Sequence, residues 1–339
     1  MNRLLTIACL LLLASGCKRE SLPEPEVGER VEVSFIVPQI AVEAESAGTG
    51  EDMQESVARP ATRAVTPENL TGNTTVRIVA FKAGSNPSAA NYIKDQAYYV
   101  DKTGALAPCT VNADGSFAAA DAKGRIMLIP GKYDFYAVTP ALALDAAKTG
   151  VSVAQEVDFA TSVTANVTIA KTSPNPSPVT LTMLSRQASR VIVEIKKAAD
   201  NPATSIKVDP NTGDGSVVIR GFSASPRTCT IGGALAAAAG ADANTLKLPA
   251  ARFTIAADKT TSTATAYVLP KTTGTLSLAF DLEIISPLDT KKQTLTGTVS
   301  NVVFAAGTSY KFTLTVHRSF VTLKVDSWVS GGTIPTPVG

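Results

Sequence analysis

The sequence is poor in the side chains that enzymes and metal sites commonly use. Its 339 residues include one histidine, His317, and four cysteines. The histidine lies in a stretch with strand-like alternation, and no serine or cysteine nucleophile motif accompanies it. The carboxylates are spread among turns without a paired arrangement, and the cysteine spacing matches no metal site. We therefore predict no catalytic residue, no cofactor and no metal ion, and hence a protein that is not an enzyme.

Aromatic residues, dense basic runs and helical periodicity are also scarce. Aromatic side chains make up 6% of the chain, with one tryptophan, Trp328. This shortage weakens a glycan-binding function, because sugar platforms need exposed rings. The lysines are scattered singly, so we expect no nucleic-acid partner. Alanine, threonine, valine and serine dominate without helical spacing, which predicts an all-β protein built of β-sandwiches.

The N-terminus has the features of an export signal. A short cationic Asn2-Arg3 precedes the apolar run 4–13, which is too short to span a bilayer as a permanent helix. The sequence LASGC at 13–17 resembles a bacterial lipobox, although Ala14 stands where the pattern more often has leucine. A plain secretory signal is the alternative. We predict that residues 1–16 are removed and that Cys17 carries lipid, including palmitate, which anchors the protein in the outer membrane.

Two further cysteines remain once the signal and Cys17 are accounted for. Cys109 and Cys229 lie far apart in the sequence. A disulfide between them is possible in an oxidising compartment, whereas two buried free thiols are the commoner arrangement for isolated cysteines. Both alternatives stay open at the level of the sequence.

The first strong strand pattern is followed by a polar tether. In VEVSFIV the apolar residues alternate with Glu32, Ser34 and Ile36, which predicts a strand with one apolar face formed by Val31, Val33, Phe35 and Val37. Residues 43–58 are rich in Glu, Gly, Ser and Ala, and the segment ends in RPATRAV with Arg59 and Arg63. One interpretation is a strand made to be cut off; the other is an ordinary first strand followed by a long loop.

Charge is divided unevenly between this segment and the rest of the chain. Residues 18–63 carry ten acidic and five basic side chains, a net charge of −5. Residues 64–339 carry nineteen acidic and twenty-five basic side chains, a net charge of +6. A cut near Arg63 would therefore release an acidic piece from a basic body.

The remainder of the chain reads as strands separated by turns. A proline-rich polar stretch, TSPNPSP at 172–178, favours a domain boundary. We predict a signal peptide at 1–16, a propiece at 17–63, one β-sandwich at 64–177 and a second at 178–339. Strands are predicted at 76–82, 92–100, 106–111, 163–170, 179–184, 189–198, 215–222, 262–270, 275–285, 291–300, 309–318 and 320–329, with a hairpin over 126–139 that turns at Pro130-Gly131.

Taken together, these motifs resemble the fimbrillin family, the FimA- and Mfa-like proteins of Bacteroidetes that form type V pili. The resemblance covers the whole chain and depends on the order of its motifs: LASGC, VEVSFIV, ATRA (61–64), VRIVAFK (76–82), LIPGKYDFYAV (128–138), RQASRVIVEI (186–195) and SYKFTLTVHRSFVTLKVDSWVSGG (309–332). It implies an exported lipoprotein with two transthyretin-like Greek-key β-sandwich domains in tandem, placed after the signal and a removable N-terminal strand.

The resemblance also implies how the protein is processed and assembled. An Arg-specific surface protease removes the N-terminal strand, and the vacated groove accepts a strand from a neighbouring subunit. Arg63 best matches the cut site, with Ala64 as the new N-terminus. Arg59 is the alternative, disfavoured because Pro60 follows it. The candidate donor strand is the C-terminal stretch with Val321, Leu323, Val325 and Trp328, which reads equally well as the last strand of its own sheet.

We therefore expect a fimbrial structural subunit at the cell surface that supports adhesion. An uncleaved anchor or accessory lipoprotein is the alternative, and a surface glycan-binding lipoprotein is the third. The expected partners are other fimbrial subunits, either copies of this chain or paralogues, an Arg-specific protease, and outer-membrane lipid through Cys17. The position in the pilus, the adhesion ligand and the identity of the protease stay open.

Overall fold

Strands are almost the only regular secondary structure in the described part of the chain. The computed structural model describes residues 29–43, 65–120, 124–171, 177–212, 215–238, 240, 242–271, 274–287, 290–300, 302–319, 321–328 and 336–337. Besides the strands these residues include a 3-10 turn at Ala250–Arg252. The predicted all-β class is confirmed. Within the same residues, no helix is long and apolar enough to cross a membrane.

The strands of the first half of the chain are β1 Val31–Ile36, β2 Gln39–Glu43, β3 Val65–Asn69, β4 Thr75–Lys82, β5 Tyr92–Val100, β6 Leu106–Val111, β7 Phe117–Ala119, β8 Met127–Leu128, β9 Gly131–Thr139, β10 Gly150–Val153, β11 Ala160–Ile169, β12 Ser177–Thr180 and β13 Ser185–Arg186. Those of the second half are β14 Ser189–Lys197, β15 Ser205–Val208, β16 Val217–Phe222, β17 Arg227–Thr230, β18 Asn244–Leu248, β19 Thr254–Ile255, β20 Thr261–Val268, β21 Leu276–Ile285, β22 Thr290–Val299, β23 Ser309–Val316, β24 Val321–Trp328 and β25 Thr336–Pro337.

The first sandwich packs a large sheet against a small one. The large sheet has the order β13-β11-β9-β4-β5-β6-β7, and the small one has the order β12-β1-β8. The residues between them form one core, because β4 and β9 alternate apolar side chains toward the small sheet. Its fully buried members include Val76, Ile78, Ile126, Leu128, Phe135, Ile169 and Leu184. Strand β12, which begins where the sequence predicts a boundary, also places Val179 in this core.

The predicted hairpin over 126–139 is wrong. Its two strands form as β8 and β9, but they do not pair with each other: β8 pairs with β1, whereas β9 pairs with β4 and β11. Residues 129–130 therefore cross from one sheet of the sandwich to the other. The physical reason is that Leu128 and Phe135 enter the same core from facing sheets, which a flat hairpin does not allow.

The second sandwich is built in the same style. One sheet has the order β19-β20-β14-β23-β24-β25. In the other, β15 and β16 pair with successive stretches of one edge of β21, β18 pairs with β16, and β22 pairs along the opposite edge of β21. Strand β21 alternates buried and half-buried residues, so that Leu276, Leu278, Phe280 and Leu282 point into the core. Strands β14 and β23 are parallel neighbours and supply the facing apolar layer.

A joint connects the two sandwiches. Strand β10 of the first half pairs antiparallel with β17 of the second half, from Gly150 opposite Thr230 to Val153 opposite Arg227. A third apolar cluster surrounds this pair and draws on both halves, with Val79, Phe81, Tyr136, Val151 and Phe159 from one side and Cys229, Ile231 and Leu269 from the other. The halves therefore meet through buried apolar surface as well as backbone hydrogen bonds.

The two cysteines of the described chain are buried free thiols, as the commoner arrangement predicts. Cys109 lies on β6, and Cys229 lies on β17 in the joint. Burial raises the pKa of both thiols, that of Cys229 to about 11. Both therefore stay protonated at neutral pH and behave as small apolar side chains.

Candidate functional site

The first strand occupies the middle of the small sheet. Strand β1 runs parallel to β12, with Val33 opposite Ser177 and Ile36 opposite Thr180. On its other side it pairs antiparallel with β8 through Val31 and Glu32. Because β1 lies between them, its removal would leave unpaired backbone groups on both neighbours. We call the space that β1 fills between β8 and β12 the first-strand groove.

The inward face of β1 is the one that the alternation predicts. Val31, Val33 and Phe35 are buried, whereas Ile36 is 53% exposed. The Phe35 ring meets Tyr98 edge-on at 5.8 Å and Phe135 at 5.3 Å between ring centroids. Edge-to-face pairs of this kind add to the free energy of burial. Phe35 therefore packs against two aromatic rings on the floor of the groove.

The predicted apolar face does not continue regularly to Val37. Strand β1 ends at Ile36, and Val37 is only half-buried, although it still packs against the core. Pro38 and Ile40 are the next buried residues, so the inward face shifts by one position. A proline between the two strands accounts for the change, because it has no N–H to continue a ladder.

A second strand of the N-terminal segment was missed at the level of the sequence. The Leu184 N–H donates to the Gln39 carbonyl oxygen at 2.7 Å, and β2 pairs antiparallel with β3. The segment from β1 through β2 thus stays extended along residues 177–184. Ile40 and Val42 alternate with polar or small residues, which was the available signal, but the flanking proline and polar tether obscured it.

The floor of the groove is fixed by its own hydrogen bonds. The Ile126 N–H donates to the buried Tyr98 hydroxyl at 3.2 Å. The Ile126 carbonyl oxygen accepts from the Val33 N–H at 2.9 Å. Burial raises the pKa of Tyr98 to about 12, so its hydroxyl is neutral over the physiological range. Residue 126 therefore has one partner on the body and one on the first strand.

Two cations line the rim of the groove, and each meets an acid of the N-terminal segment. Arg125, just before β8, forms an ion pair with Glu32 on the outward face of β1. Lys171, just after β11, forms an ion pair with Glu29. Lys94 adds positive charge beside the first pair, since its Nζ donates to the Arg125 carbonyl oxygen at 3.3 Å.

The predicted processing sites lie outside the described residues. This applies to Cys17 and to Arg59, Arg63 and Ala64. The described residues do give the two ends of the tether, because Glu43 pairs with Val65 across the β2–β3 ladder. The residues that flank 44–64 thus lie next to each other, at the end of the β2–β3 ladder that is far from Gln39.

The candidate donor strand lies in its own sheet. Strand β24 pairs antiparallel with β23 from Ser309 opposite Trp328 to Val316 opposite Val321. Val325 is buried, and Val321 and Leu323 are half-buried against the second core. The other edge of β24 pairs with β25 at Lys324 and Val325. The role of this strand as a donor stays a prediction.

His317 follows β23 instead of lying within a strand. Its Nδ1 is 3.0 Å from Asp200 Oδ1, and Asn201 donates its side-chain amide to the His317 carbonyl oxygen at 3.1 Å. These contacts connect two loops at one end of the second sandwich. Among the residues that the structure describes, no group of three or more His, Cys, Asp or Glu side chains is arranged to hold a metal ion.

The fold and the groove define an all-β protein of two joined sandwiches whose N-terminal segment supplies the central strand of one sheet. The model of the fimbrillin-like family matches residues 38–330. The chain belongs to this family, and it is accordingly a structural protein and not an enzyme.

Solved structures share the fold at low sequence identity. A putative cell adhesion protein from Bacteroides fragilis is 18% identical with a TM-score of 0.62, over 89% of this chain and 98% of that one. One from Bacteroides ovatus is 13% identical with a TM-score of 0.52, over 89% and 98%. One from Bacteroides uniformis is 16% identical with a TM-score of 0.50, over 88% and 98%. No match was found among curated proteins.

Proposed function

We propose that the chain is a fimbrial structural subunit at the cell surface that assembles by protease-triggered strand exchange and supports adhesion. The observation that carries the proposal is the position of β1 at the centre of the small sheet, on a segment whose tether carries Arg59 and Arg63. Cleavage after Arg63 would turn this central strand into a separate peptide held only by non-covalent contacts. Its place would then be open to a strand from another subunit.

The free energy of the groove favours replacement of the first strand by another strand, because a groove left empty would be costly. Burial of Val31, Val33, Phe35 and Ile40 contributes roughly 6–12 kcal/mol before the ordering of the strand is counted. An empty groove would expose this apolar floor and leave the ladder groups of β8 and β12 unpaired. An incoming extended strand satisfies both needs at once, with backbone hydrogen bonds for affinity and alternate side chains for register.

The proposed donor is the C-terminal stretch with Val321, Leu323 and Val325. Its alternation matches that of Val31, Val33 and Phe35 in spacing. To act as a donor, β24 would have to leave β23 and take its residues out of the second core. Release of the donor strand from its own sheet is therefore a slow step of the proposed assembly.

Export as a lipoprotein precedes these steps in the proposal. LASGC makes Cys17 the first residue after the signal peptide, and lipid on Cys17 would hold the precursor at the outer membrane. Cleavage after Arg63 would then separate the body from its anchor. A Cys17→Ser variant should lose labelling by radioactive palmitate in cells; normal labelling of the variant contradicts the lipid assignment.

The test of assembly uses the purified precursor without its signal. The precursor should be monomeric by size-exclusion chromatography, because its first-strand groove is filled in cis. A protease that cuts after arginine should leave Ala64 as the N-terminus, and oligomers should then form slowly. An Arg63→Gln variant, with Arg59→Gln as its matched control, identifies the productive cut: only the first substitution should abolish assembly.

A Leu323→Asp substitution tests the donor in the same assay. Leu323 is half-buried in its own sheet, and as a donor residue it would enter the apolar floor of the first-strand groove, so we expect normal cleavage with reduced assembly. Wild-type protein that is cut after Arg63 and stays monomeric at high concentration contradicts the subunit proposal. A mature protein from cells that still begins at Cys17 favours the second candidate, an uncleaved anchor in which β1 remains a permanent part of the sheet.

A further inference from the structure

The rim of the first-strand groove matches the charges of the strand that fills it. Glu32 on the outward face of β1 pairs with Arg125, and Glu29 pairs with Lys171. The apolar residues between and after these acids enter the core. The groove is therefore complementary to an extended strand that carries two acids three positions apart, as Glu29 and Glu32 are. The strand must also carry apolar residues directly before and after the second acid and at the next alternate position, as Val31, Val33 and Phe35 are.

The two ion pairs differ in how well water reaches them. The side chains of Lys171 and Glu29 are 68% and 74% exposed, so their pair is strongly screened. Those of Arg125 and Glu32 are 40% and 30% exposed, and Lys94 adds positive charge beside them. The Arg125–Glu32 pair is thus the less screened of the two ion pairs at the rim.

The chain's own C-terminal strand lacks these acids. When Val321, Leu323 and Val325 are aligned with the inward residues of β1, Thr322 stands at the position of Glu32 and Ser319 at that of Glu29. Moving the strand by two residues places Lys324 against Arg125 and a serine at the site of Phe35. Moving the strand by a further two residues places Asp326 against Arg125, but it puts Ser327 at the buried position of Val33.

We propose that Arg125 makes the groove selective for a donor strand with an acid at the position of Glu32, and hence for a strand of a different chain over a second copy of this one. The inference rests on the proposed strand exchange and names the chemistry of its partner: an extended segment with the pattern apolar–acid–apolar–polar–apolar. The same contact favours the chain's own first strand over a copy's C-terminal strand by only a few-fold, so copies still assemble at high concentration, although more slowly than with an acidic donor strand.

A peptide-competition experiment on the full chain tests this. A site-specific protease sequence is placed within residues 44–64, so that the result does not depend on the native cut site. After cleavage, a fluorescent peptide of residues 29–43 is allowed to exchange into the groove, and unlabelled peptides compete with it in an anisotropy assay. The competitors are the native peptide, its Glu32→Gln form, the peptide of residues 319–328 and its Thr322→Glu form.

Each competitor is measured on the wild-type body and on an Arg125→Gln body. On the wild-type body, Glu32→Gln should weaken competition about two- to fivefold and Thr322→Glu should strengthen it by a similar factor, as expected for a partly exposed ion pair. Both effects should vanish on the Arg125→Gln body and shrink in 1 M salt, since they come from one charge pair. A Ser34→Gln peptide is the matched control, because it changes the outward face without charge.

The outcomes separate the inference from the proposed function. If the peptides exchange but Glu32→Gln acts equally on both bodies, Arg125 does not select and the inference is overturned while strand exchange stands. If no peptide, including the native one, displaces the labelled strand, the proposed function fails and the inference with it. An unchanged melting temperature of the uncut Arg125→Gln chain, to within a few degrees, verifies that the body still folds.

Discussion

Phe35 is the largest apolar side chain that the first strand buries in its groove. It is 9% exposed and packs between Tyr98 and Phe135, so its removal would leave a cavity lined by two rings. Its neighbour Ile36 has comparable hydrophobicity and points to solvent. The two residues thus give a matched pair for separating core packing from general hydrophobicity.

We expect Phe35→Ala to lower the free energy of unfolding of the uncut chain by about 3–5 kcal/mol, the usual range for a buried phenylalanine. Ile36→Ala should change it by less than about 0.5 kcal/mol. Denaturant unfolding of both variants provides the measurement. Equal destabilisation by the two substitutions would show that β1 does not bury the face described above.

The buried residues of a strand could be predicted where a period of two was enough to identify its inward face. The alternation in VEVSFIV identified Val31, Val33 and Phe35 as the buried face. It did not identify Ile40, because the pattern shifts at Pro38 and the new inward position depends on residue 184 of a distant segment. It also gave no sign of Arg125, since an ion pair between residues 32 and 125 is formed only by the fold.

At the scale of the element, strand β16 carries a bulge that depends on a glycine. The register between β16 and β18 shifts between Arg220 and Phe222, and Gly221 lies there with φ of 101°. A Cβ on Gly221 would come within 2.4 Å of the Thr275 carbonyl oxygen. Both the dihedral angle and the close approach of two backbones therefore require glycine.

Gly221→Ala should destabilise the protein by about 2–4 kcal/mol, because strain and a backbone clash act together. Gly72→Ala is the control: its Cβ would meet nothing within 4 Å, and we expect a change within about 0.5 kcal/mol. Thermal and denaturant unfolding measure both. A tolerated alanine at position 221 would mean that β16 pairs with β18 without this bulge.

Strands as elements were largely predictable, whereas their partners were not. Strands β4, β5, β6 and β21 lie within one residue of their predicted bounds, because each has an apolar face and is delimited by turn residues. Short strands such as β10 and β17 carry too few residues for a period to show. The hairpin error at β8 and β9 arose because a Pro-Gly turn specifies a change of direction but not whether the chain stays in one sheet.

At the scale of the whole molecule, the joint decides whether the two sandwiches behave as one unit. Ile231 is fully buried in it, and its N–H donates to the Thr149 carbonyl oxygen of the first half at 3.0 Å. Each sandwich also has a separate core of its own. The coupling between the halves is therefore concentrated in the joint cluster and the β10–β17 pair.

We expect the wild-type chain to unfold in one calorimetric transition and Ile231→Asp to unfold in two. A buried unpaired carboxylate costs several kcal/mol at the joint, while the two cores remain intact. Ile255→Asp, on a residue that is 45% exposed, should keep a single transition. A single transition in both variants would indicate that coupling does not depend on the joint.

The sequence by itself determined the fold class, most of the long strands, the apolar face of the first strand and the family resemblance that the comparison bears out. These are local properties: a period of two, a turn residue or a short motif can be read within a few positions. The tertiary structure decided that β1 is a central strand, that β8 and β9 belong to opposite sheets, that β10 and β17 join the halves and that Arg125 faces Glu32. Each of these depends on contacts between residues far apart in the chain, and strand pairing depends on backbone hydrogen bonds that nearly any residue can make.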